Sequence, residues 1–472
     1  MKNTPLILSL LLGSFLLPGM AKAQQGWRWG VSSTRGLTET IDALACTMDD
    51  SENVVIAGFV GSTSGPGTAN YLVYGADTVY DNEIVSQQIV AKADSAGHIK
   101  WAKGSQHANT WPLGVAADHS GNVYAYGIYY DSSYCVFGND TLLNPLAYAM
   151  YYLVKYSPGG NVLWAKNVVA NTTLSPTGAM GIDSLGNIYV TGGFNLPSVT
   201  LGTVTLTNTS VTGDTFDVFI AKYDALGNVI TAVSFGGSKD DYPNTMTVTR
   251  AGNIYVSGTF KSAAMLVGGT LLTDALTGPL ATAGFFTKFS PGLLPVWAKQ
   301  FSRNLTVNAT TCDATENVYL TGSFDSTVIL AFDTLTSAGS GDMFVARFDS
   351  SGNAVWAKGA GNANMNEGWT VAADNFNNVW VAGGTDIGTM NFNGTAVSFP
   401  SGWDPAFIAQ YSSGGLFDTA IVMTSGGDDF LAILTNKSRG FYLAGDYSGS
   451  SLVFGPDTLT FSGLYPKEEL FI

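Results

Sequence analysis

Residues 183–192 read DSLGNIYVTG, and this stretch decides the fold because the chain repeats it. The form Asn-hydrophobic-aromatic-hydrophobic-x-Gly ends at Gly58, Gly127, Gly192, Gly258, Gly322 and Gly383. A seventh copy, with Gly440 in the Asn place, ends at Gly445. Successive copies lie 61 to 69 residues apart, a period that belongs to propellers and other stacked repeats. Nine residues before each glycine stand Asp49, Asp118, Asp183, Thr249, Asp313, Asp374 and Asn436. A short apolar run, a D-x-x-G-N turn and a second apolar run make a β-hairpin. The Asp side chain accepts backbone N–H groups within such a turn, which accounts for it better than a metal role.

Working outward, each unit continues with a glycine-containing segment such as CVFGNDTL from Cys135 or LVFGPDTL from Leu452, read as a short inserted hairpin. A third strand follows, as in VFIAKYD or MFVARFD, and places Lys92, Lys155, Lys222, Lys288, Arg347 and Gln410 in one register. The expectation for these cations is a solvated ring, their stems lying along apolar surface. A fourth strand carries Trp101, Trp164, Trp297 and Trp356, expected to pack between neighbouring sheets.

Seven units of four strands predict an all-β fold, a seven-bladed β-propeller with four-stranded blades. The last unit breaks off in its third strand at Ile472, while Trp27-Arg28-Trp29-Gly30-Val31 precedes the first hairpin as W-A-K-G precedes others. The N-terminal strand is therefore expected to close the last blade. A chain ending inside a strand also raises truncation, and with it a lost sorting domain.

Residues 1–23 read as a signal peptide: Lys2, an apolar run over 6–17, and the small-x-small Ala21-Lys22-Ala23. The run is too short to span a membrane comfortably. The expected product is one propeller domain over 24–472, secreted or displayed at the cell surface, or held in a periplasm, and monomeric. The net charge of −15 disfavours nucleic acid and anionic membranes as partners. Cys46, Cys135 and Cys312 are too few for a disulfide framework and read as small buried hydrophobes.

The repeat as a whole resembles the bacterial β-propeller repeat (SBBP) family and the exported propellers of Bacteroidota. The resemblance implies the fold and export, and no defined activity.

No catalytic motif stands out. His98, His107 and His119 are the only histidines, without metal-ligand spacing, and no nucleophile elbow or phosphate loop occurs. No catalytic residue, metal ligand or cofactor is therefore assigned. Binding residues are expected on the loops joining fourth to first and second to third strands, which share one face. The candidates there are Trp111, Asp241, Tyr242, Glu367, Trp369, Trp403 and Asp429, aromatics beside carboxylates that suit sugar rings or a protein surface. The leading expectation is a non-catalytic ligand-binding propeller for a glycan or protein. The alternatives are a glycan-processing hydrolase or lyase with carboxylates at that face, and a structural module of a larger secreted protein.

Overall fold

The computed structural model describes residues 34–35, 39–62, 70–74, 77–81, 86–210, 215–273, 282–330, 333–386, 388–399, 405–423, 428–435, 441–447, 451–454, 457–460 and 469–471. Among these every regular element is a strand, and none is a helix. Four-stranded antiparallel meanders begin at the inner strands Glu39–Met48, Asn109–Ala117, Gly178–Ile182, Asp241–Val248, Leu305–Cys312 and Asn366–Ala373. We number these blades one to six. Each inner strand packs against the inner strands of its neighbours, so the sheets stand radially around an axis, as in a β-propeller.

The expected seven four-stranded blades are not matched: six blades have four strands. A further sheet, Asp428–Thr435, Phe441–Tyr447 and Glu469–Phe471, has three among the described residues. Its inner strand packs against those of blades six and one. Residues 27–31, expected as its fourth strand, lie outside the described residues, as do the proposed signal segment and its cleavage point.

Burial explains the sequence pattern of each strand. Second and third strands are covered on both faces by adjacent blades and read as mostly apolar runs broken by single polar residues, as in Ile188–Phe194 and Ala283–Phe289, buried throughout. Fourth strands lie at the perimeter and keep alternation, with Leu163, Ile230, Val296 and Val355 half-exposed just before the tryptophan position. The inserted hairpins are present in every unit, for example Tyr134–Phe137 with Asp140–Leu143. Two of them add to the preceding blade: Met265 and Leu266 pair with Gly237 and Gly236, and Asn391 and Phe392 with Gly361 and Ala360. An inserted hairpin thus covers a perimeter edge that would otherwise offer free backbone groups.

The turn aspartates behave as the sequence predicts. Asp118 accepts the N–H groups of Ser120 and Asn122, the Asn122 amide, and the Tyr124 hydroxyl at 2.9, 2.9, 2.8 and 3.0 Å. Asp183 and Asp313 repeat the set with Tyr189 and Tyr319. Burial would raise Asp49, but hydrogen bonds from Lys92 and Asn53 outweigh it and hold the carboxyl below its ordinary value.

The third-strand cations correct the expectation. They are not solvated: Lys92 is 2% exposed and Lys155 and Lys288 are buried. Lys155, Lys222 and Lys288 lie across Tyr124, Tyr189 and Tyr255, 4.9 to 5.1 Å from the ring centroids. Their ammonium groups then cross the seam to carbonyls of the next blade. Lys92 donates to Gly121 at 2.9 Å, Lys155 to Ala225 at 3.1 Å, Lys222 to Pro291 at 2.9 Å and Lys288 to Ser350 at 3.1 Å. Arg347 donates to Ser413 at 2.9 Å.

The tryptophans act at the same seams, as expected. Trp101 donates its indole N–H to Pro158 O and Trp356 to Ser413 O, each at 2.9 Å. The next blade's turn meets the ring through a glycine at positive φ. A Cβ on Gly160 (φ +82) or Gly415 (φ +79) would fall 2.7 Å from the indole of Trp101 or Trp356.

Trp356→Phe should keep the ring packing and lose the hydrogen bond, at about 1 kcal/mol. Trp356→Ala should cost about 3–5 kcal/mol, the range for deleting a buried aromatic. Urea unfolding of the two variants distinguishes the terms; equal losses would mean that the seam is held by the hydrogen bond alone.

Candidate functional site

The candidate site lies where the inner strands begin, the end at which fourth-to-first and second-to-third connections converge. Trp111 stands opposite Ile128, Tyr242 opposite Thr259, and Glu367 opposite Gly384. Each position is one residue past the repeat glycine on the pairing strand, so the three occupy one register on three inner strands. Asp429, opposite Asp446, holds the same register by its backbone. Trp111, Tyr242 and Glu367 are all half-buried. Four of the seven predicted residues therefore share one level at the mouth of the ring.

The others divide. Trp403 lies outside the described residues. Trp369 sits two positions past Glu367, as the unpaired residue of a bulge in the strand pairing. Its ring rests on the backbone of Gly384, where a Cβ would come within 2.1 Å of Trp369 Cζ2, and packs toward the blade-six core. Asp241 is fully buried, and so is placed beneath the rim instead of on it.

Local packing fixes the two aromatic rim residues. The Trp111 ring lies 4.7 Å from Phe59 of blade one, and Tyr242 lies 5.2 Å from Phe216 of blade three. Lys261 reaches over Tyr242 at 5.5 Å while paired with Asp240 at 3.3 Å. The rim thus combines partly open aromatic faces with carboxylate and ammonium groups, a set able to stack on a ring and hydrogen-bond its substituents.

Beneath it lie acidic groups that sequence reasoning missed. Asp217 heads the third strand of blade three, Asp342 the third strand of blade five, and both are buried. Asp217 accepts the Thr209 N–H at 2.6 Å, and Asp342 accepts that of Ala338 at 3.0 Å. Asp241 accepts the Gly237 N–H at 2.6 Å and the Ser262 hydroxyl at 3.2 Å. One oxygen of each of the three carboxyls has no partner. Burial foremost, with the charge of Asp217 adding, pushes Asp241 up to about 7 against its hydrogen bonds from Gly237 and Ser262. Burial likewise raises Asp217 and Asp342. A signal was present in the sequence: both stand five residues before the third-strand cation, where blade one has Gln87.

Two other concavities lie elsewhere in the ring. Along the axis a cavity of about 360 Å³ is bounded by Cys46, Thr310, Thr311, Thr370, Ile433 and Thr435. Its wall is stitched between blades, Thr245 to Thr310 at 3.2 Å and Thr435 to the Ala373 carbonyl at 2.8 Å. At the opposite end, a cavity of about 180 Å³ between blades one and two holds Asp49, Asp50, Lys92, Lys100 and His119. His119 bonds Asp50 there. Cys135 is buried and Cys46 and Cys312 half-buried, all three as thiols. Among the described residues no three His, Cys, Asp or Glu side chains gather as a metal site. No helix among them is long and apolar enough to cross a membrane.

No family model matches the chain. It is 24% identical over 422 residues to an uncharacterized WD repeat-containing protein of Acanthamoeba polyphaga mimivirus, covering 71% of this chain. The chain spans about 30% of the length of that relative. Among solved structures it is similar to a streptogramin B lyase, at 9% identity and a TM-score of 0.41, covering 94% of this chain and 97% of that one. A protein of unknown function from Dyadobacter fermentans gives 10% identity and a TM-score of 0.33, covering 83% and 97%. At such scores the two structures carry no argument about what this chain does.

The close fit of the buried acids to the fourth strands is testable. A Cβ on Gly361 would fall 2.1 Å from Asp342 Oδ1. Gly361→Ala should destabilise by about 1–3 kcal/mol, as overpacking does, and Gly361→Ala with Asp342→Ala should recover most of the loss. Denaturant unfolding of the single and double variants reads this directly.

Proposed function

We propose that this chain is a non-catalytic binding propeller, exported to the cell surface or beyond it, whose ligand is a glycan or protein surface taken at the ring mouth. The observation that carries the reading is the common register of Trp111, Tyr242 and Glu367 on three inner strands, all half-buried at one end. Loops and strand heads on a rigid radial frame are where a propeller can vary residues without disturbing its packing. The net charge of −15 favours neutral or cationic ligands over polyanions. Export rests on residues 1–23, and membership of the SBBP group on the repeat itself.

A second reading, a glycan-processing hydrolase or lyase, keeps one supporting observation. Glu367 and Asp429 hold the same level of the ring, the placement from which carboxylates of two blades would flank a sugar. The burial of Asp241 removes it from that role.

Screening the exported chain against neutral glycans and extracellular proteins tests the first reading. Tyr242→Ala should weaken any bound ligand about thirtyfold, the scale of an aromatic anchor worth about 2 kcal/mol. The thermal midpoint of that variant should stay near that of the parent. No binder across both panels would reject the proposal. Turnover of a glycan, lost in Glu367→Gln, would replace it with the second reading.

A further inference from the structure

The seams between blades three and four and between blades five and six are built alike. In each, an acid heads the third strand of one blade, Asp217 or Asp342. In each, a polar residue heads the inner strand of the next, Asp241 or Asn366. The strand heads are tied by equivalent backbone bonds, Asp241 N–H to Phe216 O at 2.8 Å and Asn366 N–H to Gly341 O at 2.9 Å. In each, Oδ1 of the acid lies against a fourth-strand glycine, 2.1 Å from where a Cβ of Gly236 or Gly361 would stand.

The two seams differ in one group. In the blade five–six seam the residue facing Asp342 is neutral, and the Asn366 amide donates to Gly341 O at 3.2 Å and to Asn364 O at 2.9 Å. In the blade three–four seam the amide is replaced by a second carboxyl, and Asp217 Oδ1 and Asp241 Oδ1 are both buried without a partner. Both residues are fully buried, and two ionised carboxylates cannot share such a place without a counter-charge.

Among the described residues no counter-charge faces them. Of the ionisable groups around the seam, Lys261 pairs with Asp240, Lys239 is exposed, and Tyr242 lies at the rim. The fourth strand of blade three, Val229–Gly237, carries no ionisable side chain. Lys222 and Tyr223 lie at the far end of the third strand, and Tyr255 at the far end of the facing second strand of blade four.

We propose that Asp217 and Asp241 share a single proton, which closes this seam as a latch that alkaline pH releases. Asp241 is the donor and Asp217 Oδ1 the acceptor, so one proton satisfies both orphan oxygens. Its loss leaves two buried like charges, one of them bonded to the fourth strand of blade three through Gly237 and to blade four through Ser262. The seam then loosens next to Tyr242, at the ring mouth.

The sign follows from linkage. A carboxyl raised in the folded state takes up its proton on folding, so its contribution is whole below the ordinary carboxylate value near ~4. That contribution is lost as the pH rises through about 7.

Thermal unfolding of the full chain between pH 5 and 9, with Asp241→Asn alongside, tests the latch. The parent midpoint should fall across the pH range around 7, whereas D241N should lack this fall and exceed the parent above it. Parallel profiles would overturn the proposal. Infrared spectra of the parent supply a second reading that needs no variant. A protonated-carboxyl band should be present at pH 6 and lost by pH 9. With it, exchange at the Gly237 and Thr209 amides should accelerate beyond intrinsic base catalysis. Absence of that band at pH 6 would equally overturn it, and in a folded D241N the band should be smaller by one carboxyl.

Discussion

A cation buried in one blade and bonded to a backbone carbonyl of the next is the interaction on which this ring depends. A four-stranded sheet with both faces apolar has no independent stability in water, and stacking alone leaves the rotation of one sheet on another weakly specified. The ammonium of Lys92, Lys155, Lys222 or Lys288 sets that relation by reaching a fixed turn in the following blade. The arrangement is tolerable inside because each cation is fully used. It lies over a tyrosine or beside a carboxylate, as Lys92 does on Asp49 at 2.8 Å, and donates to a carbonyl as well. The indole of Trp356 adds a second bond to Ser413 O, the carbonyl that Arg347 reaches, while that of Trp101 bonds Pro158 O on another turn of the next blade.

This cross-blade bonding also explains what the sequence revealed and what it concealed. The hairpin turns, the inserted hairpins and the seam tryptophans are local, and each leaves its mark within about ten residues. The lysines' role is hidden from sequence because their partners are carbonyls lying 29 to 70 residues downstream, and a carbonyl carries no residue identity. The Asp217–Asp241 seam is hidden for a similar reason. Asp241 stood out beside Asp240 and Tyr242 in an acidic, aromatic loop, but nothing local distinguishes a buried strand head from an exposed one. The last sheet shows the limit from another side: its strands Asp428–Thr435 and Phe441–Tyr447 follow the repeat, while the expected count of four was inferred from residues at the opposite end of the chain.

The site divides in the same way. The level shared by Trp111, Tyr242 and Glu367 follows from counting back from the repeat glycine, and was accessible to sequence reading. Which side chains stay at the rim and which turn inward depends on alternation across a bulge, such as the shift between Gly368 and Thr370 that carries Trp369 toward the core. A single register irregularity thus separates neighbours that look equivalent in the primary sequence.

Thr249 gives the repeat its one described departure from the turn aspartate, and the ring compensates in trans. Glu316, from the turn of blade five, accepts the Thr249 hydroxyl at 3.0 Å and the Asn253 amide at 2.8 Å. Its second oxygen lies 3.6 Å from Lys288. The acid that every other described unit encodes for itself is here borrowed from its successor. Units four and five are consequently a heritable pair: a duplication, deletion or exchange that moved one without the other would strand Lys288 beside a hydroxyl. Seven similar units therefore do not amount to seven interchangeable ones, and the order of blades in this ring is itself encoded information.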